Sequence, residues 1–190
     1  MLAEMLGIVV RFIGGFFVFV FLARFYLQAL RAPFRNQLGA FVIATTNWAV
    51  MPARRVVPQA WGFDLASWIC AWILQALVLA TLAMLAGVDL SVAPAAASGI
   101  LFAQALVDLV QYSLEILLAV VILQAVLSWV SPYNPLQSML DSVTRPLLRP
   151  IRRFLPPIAN VDLSPVVLIL AIMLLMVPIA ELRRLAGGLF

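Results

Sequence analysis

Residues 65–88 run for 24 positions without a charge, more than the roughly 20 apolar residues that cross a hydrocarbon core. Such a run must be buried in lipid or in a protein interior, and the rest of the chain decides between them. Of 190 residues, 65% are hydrophobic and only 11% charged, where a soluble domain has about 25% charged. So few charges cannot clothe so large an apolar interior in water. The fold class is therefore an all-α membrane protein.

Three more spans follow. Residues 163–182 form one, with Pro178 expected to bend its last turn. Residues 12–30 are apolar apart from Arg24, Gln28 and two glycines, and Arg11 and Arg31 flank them where they can snorkel to headgroups. This stretch exceeds the core of a signal peptide and has no clean cleavage site after it, so it reads as a retained helix. Residues 99–130 would make a helix of about 48 Å, too long for one upright crossing and too short for two. The crossing is expected over residues 112–130.

The most specific pattern is an internal repeat. Pro52, Arg54, Arg55, Pro58, Asp64 and Leu65 recur 98 positions later as Pro150, Arg152, Arg153, Pro156, Asp162 and Leu163. Thr46 and Thr144 extend the match, and Leu27, Gln28 and Ala29 recur as Leu123, Gln124 and Ala125. Each unit reads as span, basic loop, span, giving a first repeat over residues 1–88, a linker over 89–98 and a second repeat over 99–190. Two crossings per unit bring the second copy in from the same side, so the repeats are parallel and both basic loops share one face. Each loop carries four Arg, whereas the linker has Asp89 and no basic residue. The positive-inside rule then puts the Arg loops in the cytoplasm and the linker outside, and the expected location is the inner membrane. Within the loops, residues 38–51 and 136–148 are too short and polar to cross, which suits interfacial or re-entrant amphipathic segments.

Chemistry-bearing residues are few. The twelve cations are all Arg, with no Lys and no His, which removes Schiff-base lysines, His-liganded metals, His general bases and the phosphate-loop Lys. A lone Cys70 gives no disulfide framework. No metal, cofactor, nucleic acid or catalysis is implied. The Arg54–Arg55 and Arg152–Arg153 pairs, with prolines on both sides, read as short stiff basic segments at the membrane face. Together with Arg145 and Arg149 they suit anionic lipid headgroups or an acidic partner protein. Their plainer reading is a topology signal with salt bridges from Arg54 or Arg55 to Asp64 and from Arg152 or Arg153 to Asp162.

Two features lie inside spans. Arg24 would cost about 2.5–3.5 kcal/mol at a bilayer centre, so it either marks a site, pairing across spans with Asp108 if both are buried, or sits one turn from the interface, sharing with Gln28 and Arg31 a polar edge that can pair with Asp64. Gln104, Asp108, Gln111 and Glu115 form one helical stripe, either an ion relay or, as the preferred reading, a face in water at the outer interface. Ser164 and Pro165 read as N-cap and first position of the last helix. Gly14, Gly15, Ala66, Ser67, Cys70 and Ala71 offer small surfaces for close packing.

These motifs resemble the YggT family, called YlmG in some bacteria and in plastids. The resemblance rests on Leu127, Ser128, Trp129 and Val130, on Asn134 and Pro135, on Thr144 to Arg153, and on Asp162 to Pro165. It departs at Gln124, where many members carry Arg. The resemblance implies an integral membrane protein without catalytic residues, with roles ranging over osmotic or ion homeostasis, cell division and haem attachment to a plastid cytochrome. Without His or a Cys-x-x-Cys-His motif, direct haem ligation suits this chain poorly. The functional expectation is a scaffold or assembly factor that recruits membrane proteins or anionic lipids through its Arg loops. The alternative is a homo-oligomeric channel or small transporter with Arg24, Asp108 and Glu115 along its path.

Overall fold

A computed structural model describes residues 1–32, 36–57, 63–130, 135–154 and 162–187. Pro58, Pro156 and Asn134, which the motif reading singled out, and Arg35 of the first basic loop lie outside these described residues. The described chain is all-helical: α1 (Leu2–Ala29), α2 (Gln37–Val56), α3 (Leu65–Leu85), α4 (Pro94–Val130), α5 (Pro135–Phe154) and α6 (Ser164–Gly187). By length and composition α1, α3, α4 and α6 can each cross a membrane. Their outward faces are apolar, with Phe12, Ile13, Ile73, Leu77, Leu170 and Leu174 exposed. That inverts the surface of a soluble protein and fits a lipid solvent.

α4 corrects one expectation. It is a single helix of 37 residues, with no break before Tyr112, and Leu101, Ala105 and Leu109 are buried in the bundle. The first half of α4 is thus packed helix rather than a separate interfacial stretch. Pro178 likewise lies within α6, which continues nine residues beyond it to Gly187.

The α1–α3 contact explains the small residues. A Cβ placed on Gly14 would overlap Val78 Cγ2, and Ala66, Ser67 and Ala71 are buried. Lipid tails are as apolar as the side chains, so no hydrophobic force drives membrane helices together, and close backbone approach through small side chains is what holds them. Gly14→Val should therefore overpack a β-branched neighbour that has little rotamer freedom. We expect about 1–3 kcal/mol of destabilisation, checked as a lower unfolding midpoint in detergent, with Gly99→Val, in open space, as a control for substitution itself.

Phe21, Leu22, Val18, Val50, Ala71, Leu109 and Ile116 form a core shared by α1, α2, α3 and α4. A second cluster joins Val20, Leu27 and Val42 to Met139, Leu140 and Val143, so α5 packs against the same end of α1 that α2 covers. α2 begins at Asn36, whose side-chain oxygen accepts Gly39 N–H at 2.7 Å. Its rings then follow α1, with Phe41 6.3 Å from Phe16 and Trp48 6.4 Å from Phe17. α2 lies along the second half of α1, ending with Arg54 beside Gln28. A third cluster, Val121, Leu148, Leu168 and Ile172, ties α4, α5 and α6.

Candidate functional site

Three side-chain assemblies gather paired charges, and the first and third hold the buried ones among the described residues. The first gathers at the start of α3. Asp64, fully buried, receives Arg54 through both carboxylate oxygens, at 2.7 Å from Nη2 and 3.2 Å from Nε, and Ser67 Oγ at 2.6 Å. Arg24 Nε stands 3.7 Å from the same carboxylate. Its Nη1 donates to Thr46 Oγ1 at 2.7 Å and Asn47 Oδ1 at 2.9 Å. Gln28 Oε1 accepts from Arg54 at 3.1 Å. Arg24 is thus satisfied by α2 and Asp64, and Arg31, with φ 53°, is exposed and outside this group.

Burial pushes the Asp64 carboxyl up, but hydrogen bonds from Arg54 and Ser67 and the nearby guanidinium charges outweigh it and hold the group below the usual carboxylate range. The unfolded chain then binds more protons in that range than the folded one. The resulting stability is complete above the ordinary carboxyl value near 4 and is lost as pH falls through the lower folded value. A thermal series in detergent from pH 6 to 3 should show the midpoint dropping at its acid end, and Asp64→Asn should flatten that drop.

The second assembly repeats the first 98 positions later but in a wetter setting. Arg152 Nη2 lies 2.8 Å from Asp162 Oδ2, with side chains 47% and 39% exposed. Asp162 Oδ1 accepts the Ser164 backbone N–H at 2.9 Å. The last helix therefore begins on Ser164 itself, and Asp162 rather than Ser164 supplies the capping oxygen: Ser164 turns its hydroxyl onto that carboxylate. Burial acts upward on the Asp162 carboxyl, while Ser164 and Arg152 together bring it below its ordinary value. Gln124 on α4 donates to Asp141 on α5.

The third assembly corrects the preferred reading of the polar stripe. Asp108 is buried between α3 and α6, not in water. Arg183 Nε lies 2.7 Å from its Oδ1, and Gln75 Nε2 donates to its Oδ2. Gln111 donates to Glu115 Oε1 at 3.0 Å and accepts from Arg183 at 3.4 Å. Arg24 and Asp108 are both buried, yet each has its own partners and they do not meet.

The Arg pairs also sit differently from expectation. α2 and α5 continue through Pro52 and Pro150, so Arg54, Arg55, Arg152 and Arg153 occupy last helical turns rather than a proline-bounded stiff segment. Cations there are favoured by the helix dipole. On α5, Arg145, Arg149, Arg152 and Arg153 line a recess of about 500 Å³. Of these only Arg152 has an acidic partner among the described residues; Arg55 on α2 has none either. Among the described residues, no group of three or more His, Cys, Asp or Glu could hold a metal ion. Sequence reasoning missed Asn47, Gln75 and Arg183 as partners. Thr46 alone carried a signal, its recurrence as Thr144.

Four apolar spans with buried, internally paired charges and two basic helices at one end define a polytopic α-helical membrane protein. The CCB3/YggT family matches residues 3–86 and 103–182, and the chain belongs to that family. It is 31% identical over 185 residues to an uncharacterized protein of Pseudomonas aeruginosa, covering 94% of this chain and 90% of the relative. A Vibrio alginolyticus protein from the region 3′ of proC is 31% identical over 157 residues, 82% of this chain and 83% of the relative. The Escherichia coli K12 protein YggT, also called uncharacterized, is 29% identical over 174 residues, 91% and 88% respectively. No solved structure matches the chain.

Proposed function

We propose that the protein is a non-catalytic scaffold or assembly factor of the inner membrane, built of two parallel repeats, whose cytoplasmic basic helices recruit anionic lipids or acidic partner proteins. The observation that carries this is the Arg face of α5, where Arg145, Arg149 and Arg153 have no acidic partner among the described residues and surround a recess. An uncompensated Arg near an anionic surface is worth about 1 kcal/mol. The packing of α5 with α1 and α2 supports a common side for both basic helices, and α2 lying along α1 favours a re-entrant over a flat interfacial placement. The channel reading has less behind it, because Arg24 and Asp108 are each closed by their own partners.

Replacing Arg55, Arg145, Arg149 and Arg153 together by Gln should abolish the protein's preference for anionic over zwitterionic spin-labelled lipid in reconstituted vesicles, and its cross-linking to neighbouring proteins in native membranes. Unchanged values for both, with insertion intact, would sink the proposal. Sidedness is checked by single cysteines at Arg55, Arg153 and Ser91 in a Cys70→Ser background. The first two should react from the cytoplasmic side and the third from the other; labelling of Arg55→Cys and Arg153→Cys from opposite sides would make the repeats inverted.

A further inference from the structure

We infer that the second repeat holds one anionic phospholipid, its phosphate on the α5 arginines and an acyl chain in an apolar cleft beside them, and that the first repeat has no counterpart. The inference rests on the proposed role of the basic helices and narrows it to one helix and one ligand class.

The cleft, of about 360 Å³, lies between the end of α1, the middle of α4 and α5. Tyr26 and Leu30, Leu114 and Leu117, and Pro146 and Leu147 form its walls. Pro146 links it to the cations: Arg149 and Arg153 follow at i+3 and i+7, on the same stripe of helix, and both line the basic recess. One face of α5 therefore passes from an apolar cleft to paired guanidiniums within two turns. An ordinary lipid could fill the cleft, but the adjoining cations select a headgroup of net negative charge, with no ammonium of its own to repel them and a phosphate that guanidinium forks engage bidentately. Leu147, 39% exposed, stands at the cleft's edge, where a methylene chain would cover it.

The asymmetry follows from the repeat. At an offset of 98, Arg145 and Arg149 correspond to Asn47 and Met51. Asn47 is spent on Arg24, whose place in the second span, two residues closer by the Gln28–Gln124 match, is Val120. The first repeat keeps Arg55 at the Arg153 position but has Met51 where the second has Arg149, so it lacks the guanidinium pair, and its Arg24 sits in the span, closed by α2 and Asp64. In the second the cations sit on the amphipathic helix and face outward. The two copies have thus divided between an internal ion cluster and an external anion site.

The test is native mass spectrometry of the full chain released from detergent after equilibration with phosphatidylglycerol and phosphatidylcholine of equal chain length. Wild type should retain one phosphatidylglycerol with about tenfold preference over phosphatidylcholine. Arg149→Gln with Arg153→Gln should remove that preference, Arg149→Lys with Arg153→Lys should restore part of it, and Arg184→Gln, a cation of α6 paired with Glu181, should leave it intact; Arg55→Gln tests for a site on the first repeat. Leu117→Trp, which fills the cleft, should cut retention of both lipids. Glycerol phosphate and inorganic phosphate, offered alone, separate head from chain: retention of either as strong as that of the lipid overturns the role of the cleft. If Arg55→Gln removes the preference and the α5 pair does not, the one-sided site is wrong while recruitment by the basic helices stands. If neither does, both readings fall.

Discussion

Asp64→Ala should destabilise the protein by about 3–5 kcal/mol, the range for removing one partner of a buried ion pair. For a chain of this size that lowers the unfolding midpoint by roughly 6–20 °C. The reason is that one carboxylate serves two cations and a hydroxyl. Its removal leaves Arg24, buried in α1, with only Thr46 and Asn47, neither of which carries charge. It also strands Arg54 and loosens the start of α3, where Ser67 Oγ donates to the same group. Asp162→Ala deletes the equivalent residue of the second repeat but should cost under about 1 kcal/mol of ion-pair energy, since both partners are already 39–47% exposed. Thermal unfolding of the two variants side by side in one detergent decides the matter. Equal effects would mean that the first cluster is hydrated, and the account of Arg24 as an internally neutralised charge would fail.

That contrast between matched residues shows what the sequence could and could not reveal. The four spans were legible because hydrophobic length against bilayer thickness is nearly a one-variable problem. The repeat offset was legible too, and so were the salt-bridge alternatives at Asp64 and Asp162, since ten residues separate Arg from Asp in both units. Depth was not. Arg24 and Asp108 look alike in a hydropathy trace, and only packing reveals that α2 folds back along α1 to meet one of them and that α6 brings Arg183 to the other. The helical continuation through Pro52 and Pro150 was misread for a related reason. Proline's penalty is local, whereas the amphipathic face of α5, with Val143, Thr144 and Leu148 buried and arginines outside, is stabilised along its whole length by burial. Small residues told more than charged ones: Gly14 pointed to close packing, and Val78 fills that place.

The second large effect concerns Asp108 and Arg183, whose contributions should be unequal although they form one pair. The Asp108 side chain has no exposure and that of Arg183 is 41% exposed. Arg183→Ala therefore leaves a carboxylate inside the bundle with Gln75 as its remaining close donor, and should cost about 3 kcal/mol or more. Asp108→Leu leaves instead a long cation near a helix end that can swing toward headgroups, and should cost nearer 1 kcal/mol, most of it from the stranded Gln75 amide. Asp108→Leu with Arg183→Leu should recover stability to near wild type, because an apolar pair of similar volume often equals or exceeds a buried ion pair. Unfolding midpoints for the three variants give the order, and ion flux from liposomes loaded with the same proteins gives its meaning. If the pair is structural, the double variant is stable and its vesicles are as tight as those of wild type. If wild-type vesicles leak and the double variant seals them, Asp108 lines a conduction path, and the scaffold reading would yield to a channel.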